Sequence, residues 1–152
     1  MNTHFIKTPE KRHIVEKLND NYGISDLPYL LIESGKEKIR AFSGSLSKDE
    51  IIELGKICKI EIVGCYLMKN ENNELRLSFD APLILKEQIS KNVVDINDEQ
   101  FKLWIRGHDI EFKEEVTKGN VVIRYNGYFL GCGKSNGSKI FNYVPKDRRL
   151  RK

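Results

Sequence analysis

Apolar positions along this chain switch between two spacings, and the switches outline its elements. Thr8 and Pro9 open a helix: threonine can cap, and proline at the first helical position gives up no intrahelical bond. Ile14, Val15 and Leu18 then share one face, and Asn19, Asp20, Asn21 and Gly23 end the run. Residues 29–33 and 39–42 are strand-like runs around Ser34, Gly35 and Lys36, the pattern of a hairpin. Ser47 with Glu50 three positions on is a capping box, and Ile51, Ile52, Leu54 and Ile57 make the apolar face of the helix it starts. Residues 60–67 are rich in strand formers. After a turn at 70–73, Leu75, Leu77 and Phe79 alternate with Arg76 and Ser78, as a half-buried strand does. Asp80, Ala81 and Pro82 begin a helical turn or two that runs to Gln88.

At Asn92 the pattern changes. A short strand at 93–96 precedes a second cap signature, Asn97 to Gln100, and Phe101 and Trp104 fall three apart on one helix face. Short strands follow at 119–123, 128–134 and 140–144, the last two joined by a turn at Asn136, Gly137 and Ser138. The expectation is an α+β chain of two units: residues 1–91, a small antiparallel sheet with helices, and residues 92–152, a β-rich module. No Gly/Ser linker separates them, which predicts a shared interface.

Composition narrows the function classes. The chain has 152 residues, 39% hydrophobic and 32% charged. No apolar run approaches the ~20 residues that span a bilayer. The start, Met1 to Lys7, lacks the apolar core of a signal peptide, so a cytoplasmic protein is expected. The net charge of +4 is unevenly placed. Residues 1–90 carry 13 Lys/Arg against 14 Asp/Glu, whereas the final twenty carry 7 against 1. A basic end on a neutral body points to one anion-binding surface.

Candidate chemistry is sparse. Gly131, Cys132, Gly133, Lys134 and Ser135 suggest a phosphate loop, but the glycine that a P-loop needs is replaced by Tyr128, and a turn follows where a helix should begin. His4, His13 and His108 are dispersed, with no metal-ligand spacing. Cys58, Cys65 and Cys132 fit reduced, packed thiols rather than a disulfide framework. Asp80 and Asp109 are single carboxylates suited to caps or loops. The expectation is a protein without catalysis of its own, without cofactor and without metal.

The order of motifs from Val93 to Arg151 resembles the PUA domain, the β-rich RNA-binding module of pseudouridine synthases and archaeosine transglycosylases. The resemblance rests on Arg106-Gly107-His108-Asp109, on Gly119-Asn120-Val121-Val122, and on Phe129-Leu130-Gly131-Cys132-Gly133. The stretch from Ile123 through Arg149 looks like the C-terminal PUA-like extension of the Sun/Nop2-type RNA cytosine methyltransferases. The layout, an α/β domain followed directly by PUA, resembles small ribosome-biogenesis proteins that help process pre-rRNA, whose first domain contacts protein partners. The resemblance implies a PUA pseudobarrel and an RNA-binding protein acting on rRNA, or an accessory subunit of a tRNA or rRNA modification enzyme. It implies RNA contact by Arg106, Gly107 and His108. Lys134, Lys146, Arg148 and Arg149 would meet phosphate. An exposed ring would take a base, with Tyr143 or Tyr128 the candidates.

Overall fold

The computed structural model describes residues 3–151. Met1 and Asn2 of the N-terminus, and Lys152 of the basic tail, lie outside the described residues. Two five-stranded sheets follow one another along the chain.

The first unit begins with β1 (Thr3–Phe5) and α1 (Thr8–Tyr22). Lys7, not Thr8, occupies the cap: its N–H donates to the Glu10 carboxylate at 3.0 Å, which draws Thr8 into the first turn. β2 (Leu30–Ser34) and β3 (Lys38–Phe42) form the expected hairpin, and α2 (Lys48–Ile57) starts at the Ser47–Glu50 capping box. Residues 60–64 carry no strand; β4 (Cys65–Glu71) begins later than their composition suggests and pairs with β5 (Glu74–Leu77). The order is β1-β2-β3-β4-β5, antiparallel throughout. A short helix, α3 (Ala81–Ile84), leads out.

In the second unit β6 (Val93–Asp95) lies parallel to β8 (Gly119–Tyr125), while β8, β9 (Tyr128–Ser135), β10 (Lys139–Asn142) and the two-residue β7 (Ile110–Glu111) pair antiparallel, giving the order β6-β8-β9-β10-β7. The strand expected at 140–144 stops at Asn142, and Val144 is buried beyond it. Helix α4 (Asp98–Trp104) is capped by Asn97, whose side chain accepts from the Gln100 N–H at 2.9 Å. Trp104 is fully buried and its indole N–H donates to the Leu130 carbonyl at 2.7 Å. Phe101, one turn earlier, stacks on Tyr125 with ring centroids 4.2 Å apart.

The apolar pattern finds three cores. Leu18 and Tyr22 of α1 pack on Leu31, Ile39, Leu67 and Leu75, and the same cluster takes in Val122 and Cys132 from the second sheet. The two units therefore share buried surface, and each fully buried leucine or isoleucine in it contributes about 1.5–3 kcal/mol. A second cluster gathers Trp104, Ile110, Val121, Ile123 and Ile140 inside the second unit. A third, small one joins Phe5, Ile32, Ile51 and Val63 on the other face of the first sheet. Of the apolar face expected for α2, only Ile51 is buried; Ile52 and Leu54 are exposed and Ile57 is 83% exposed. Ile51 alone of this stripe joins the cluster with Phe5, Ile32 and Val63.

Hydrogen bonds tie the junction as well. Asn92, at a φ of +54°, donates from its side-chain amide to the Asn21 carbonyl at 2.6 Å and accepts from the Val122 N–H at 2.8 Å. Gln88 closes the preceding loop by accepting from the N–H groups of Ser25 and Asp26.

Candidate nucleic-acid interface

Helix α4 ends in a tight corner that organises most of the expected contact residues. Gly107 takes a φ of +89°, a conformation that costs a side-chain-bearing residue roughly 1–2 kcal/mol. Its N–H donates to the Trp104 carbonyl at 3.0 Å, and the His108 N–H donates to Leu103 at 3.0 Å. The chain past β10 folds back onto this corner. The Leu150 N–H donates to the Ile105 carbonyl at 2.8 Å, and the Arg149 Nε–H donates to the Val144 carbonyl at 3.0 Å. Arg149 lies directly on Gly107: a Cβ there would stand 2.4 Å from its Cδ. Glycine is thus required twice, by its backbone angle and by the arginine stacked over it.

Asn142, which the motif reading passed over, is the clasp. Its side-chain amide donates to the carbonyls of Trp104 and His108 at 2.8 and 2.9 Å, and its side-chain oxygen accepts from the Val144 N–H at 2.8 Å. Its own N–H donates to the Asp109 carboxylate at 2.8 Å. An asparagine two residues before a buried valine carries no sequence signal for this role, because every partner but Val144 lies more than thirty positions away.

The fold brings Arg106, Gly107, His108 and Arg149 to this corner, and Lys146 lies in the tail segment just before Arg149. Arg106, His108 and Lys146 are exposed, and among the described residues neither Arg106 nor Lys146 forms an ion pair. Arg148 turns the other way. It ion-pairs with Asp80 of the first unit and lies over the Phe79 ring, 5.0 Å from its centroid. Lys134 sits apart from the corner on the exposed face of β9, opposite Phe141 of β10 and Asn120 of β8. Tyr143 joins the two regions, 37% exposed, with the Arg76 guanidinium 4.6 Å from its ring centroid. Tyr128 is 74% exposed at the β8–β9 turn.

The remaining candidates are structural. Cys132 is buried between Val122 and Ser78, and burial pushes its thiol up to about 12, so it is no thiolate at neutral pH. Cys58 and Cys65 are exposed rather than packed, a correction to the expectation of three buried thiols; each stands at the margin of α2 or β4, outside the cores. Gly131, at a φ of +83°, admits the Phe79 ring, and Gly133 admits Trp104 and Ile140, so the strand glycines serve packing. A hollow beside α4 is lined by the carboxylates of Asp95, Glu99, Asp109, Glu111 and Glu114 against the lysines Lys113 and Lys139, a net negative wall that disfavours phosphate. Among the described residues no three His, Cys, Asp or Glu side chains converge as metal ligands, and no helix is long and apolar enough to cross a membrane.

A mixed sheet around a buried tryptophan, with a glycine corner at the end of its α-helix and a basic tail folded over that corner, is a PUA domain. Residues 91–150 match the family described as the methyltransferase RsmF PUA domain, and this stretch resembles the PUA part of Sun/Nop2-type methyltransferases. Curated relatives agree. A Vibrio vulnificus protein named ribosomal RNA small subunit methyltransferase F is 33% identical over 85 residues, 56% of this chain and 18% of its own. Proteins of the same name from Photobacterium profundum and Aeromonas salmonicida are 30% identical over 94 residues and 26% over 93, covering 62% and 61% of this chain and 20% and 19% of theirs. These stretches are longer than the part of the chain from residue 91 onward, so each takes in some of the first unit. The chain spans about a fifth of the length of these relatives. Their names overturn the expectation of a protein without catalysis of its own: the similar proteins are named as methyltransferases and are matched over a stretch that includes the PUA region. That expectation rested on the sparse candidate chemistry of these 152 residues, and the catalytic motifs of so much longer an enzyme need not fall in the stretch matched here.

Proposed function

We propose that this chain grips ribosomal RNA in the cytoplasm as the RNA-binding part of an rRNA-modifying methyltransferase system. The observation that carries it is the corner at Gly107, where exposed Arg106, His108 and Lys146 surround a backbone turn that a tail arginine holds in place. Cations on a rigid frame neutralise phosphates with little ordering cost, and main-chain N–H groups at a glycine turn approach the RNA backbone closely. Arg106, Lys134, Lys146, Arg148 and Arg149 supply phosphate contacts. Gly107 and His108 supply shape, and Tyr143 supplies a ring for an unpaired base.

Two units, residues 1–91 and 92–152, divide the work in this reading. The second holds the RNA, and the first presents surface to a protein partner, with the exposed Ile57, Ile62 and Leu54 around α2 as the face available for it.

The test is crosslinking of the protein to RNA in its native cells, followed by sequencing of the attached RNA. Enrichment of one rRNA region is the expected result. Enrichment of tRNA would redirect the reading to tRNA modification, and no enrichment over background would contradict it.

A further inference from the structure

The first sheet carries a second basic surface that the PUA corner does not explain. Lys38, Lys69 and Arg76 stand directly opposite one another on β3, β4 and β5. Such neighbours on one sheet face approach within about 5 Å at Cβ, and like charges so placed repel. One carboxylate, Glu71, pairs with two of the three, bonding Lys69 at 2.8 Å and Arg76 at 3.4 Å. Glu37 and Glu74 flank the row in the adjoining turn and strand end. Tyr66 lies on the same face with the Lys38 ammonium 5.5 Å from its ring centroid. At the other end of the row Arg76 packs on Tyr143, so the row runs into the second unit beside Lys134. A cation row with aromatic rings at both ends is the pattern that tracks a single-stranded backbone and stacks its bases.

We propose that this face of the first sheet binds a single-stranded RNA segment flanking the structured element held at the Gly107 corner, with Arg76 and Tyr143 joining the two surfaces. The proposal rests on the RNA-binding reading above and extends the contact to the unit that sequence patterns assign to protein partners.

The experiment compares two probes, a short RNA hairpin and the same hairpin with an oligouridine extension, on the full chain and on Lys38→Gln with Lys69→Gln. Glutamine keeps most of each side chain's stem, and thermal unfolding checks that both proteins fold. The expected result is that the extension tightens binding to the parent several-fold and that the double variant loses this gain while holding the bare hairpin as before. Its salt slope on the extended probe should fall by about 1 to 1.5 units, near 0.7 for each lost phosphate contact. Equal affinity of parent and variant for the extended probe would overturn the proposal while leaving the corner intact. Equal loss on both probes would also overturn it, by placing the lysines in the main grip. Failure of the parent to bind either probe would instead contradict the RNA-binding reading itself. Where the extension adds no affinity, binding of an acidic peptide with the same lysine dependence would overturn the proposal and assign the face to protein.

Discussion

The Gly107 corner and the face around Lys134 are both basic, yet they spend their charge differently. In the corner, Arg149 is stacked on Gly107 and bonded to Val144, and Arg148 is bound to Asp80 across the junction between units. These two arginines build the surface as much as they charge it. On the sheet face Lys134 is exposed opposite Phe141, and among the described residues its ammonium forms no ion pair. A basic tail read from composition alone treats all its cations alike. The fold separates those that shape the site from those left to meet a ligand, and mutations should separate them too.

The largest effect should come from the frame beneath the corner. Trp104→Ala should cost about 3–5 kcal/mol, the usual range for emptying a large buried aromatic site. Because one buried cluster takes in residues of both sheets, urea unfolding of the variant should remain a single transition. Two separated transitions would show that the units are energetically independent. Gly107→Ala should cost about 1–2 kcal/mol from its backbone angle and should also unseat Arg149, so RNA affinity falls with stability.

A smaller and more selective effect is expected from Arg106→Ala with Lys146→Ala. Stability should stay within about 0.5 kcal/mol, as for surface changes in general. RNA affinity should fall and the salt slope flatten by about 1–2 units. Arg148→Ala with Arg149→Ala should flatten the slope by a similar amount, but should also lower the unfolding midpoint, since these two side chains carry structural bonds. Loss of binding without any loss of stability in this second pair would erase the distinction between frame and contact.

The smallest effect concerns pH. Burial raises the pKa of Tyr22 and of Cys132, the latter to about 12. Both groups are neutral in the folded chain and ionise more easily once unfolded. Their stabilising contribution is therefore complete below the unfolded values, roughly 8.5 for cysteine and 10 for tyrosine, and is lost as pH rises above them. The thermal midpoint should fall between about pH 9 and 12, and Cys132→Ala should flatten the onset of that fall. At the acid end, Glu71 is held below the usual carboxylate range by its bond to Lys69 and by Arg76, and Asp95 by Arg124. Their contribution is present above about pH 4–4.5 and is lost on further acidification.

How much was legible in the sequence follows from the distance between partners. The capping boxes at Ser47–Glu50 and Asn97–Gln100 are local, and both form as their spacing implies. The glycine corner could be placed because a cation and a glycine at a helix end are neighbours in the chain. Arg148 reaches Asp80 across 68 positions, and Arg76 reaches Tyr143 across 67; no local pattern encodes such pairs. The row of Lys38, Lys69 and Arg76 needs the register of two strand pairs, including a bulge between Ile39 and Arg40, before it exists at all. The apolar stripe of α2 shows the opposite failure. Its period is right, but periodicity states which residues align and not whether anything covers them.

The central claim, that RNA lies across the Gly107 corner, is most directly tested by ultraviolet crosslinking of bound RNA to the intact chain with the crosslinked residues identified by mass spectrometry. The expected adducts fall at His108 and Tyr143 and on the peptide from Lys146 to Arg149. Adducts confined to α1 or to the exposed face of α2, with none at the corner, would contradict it.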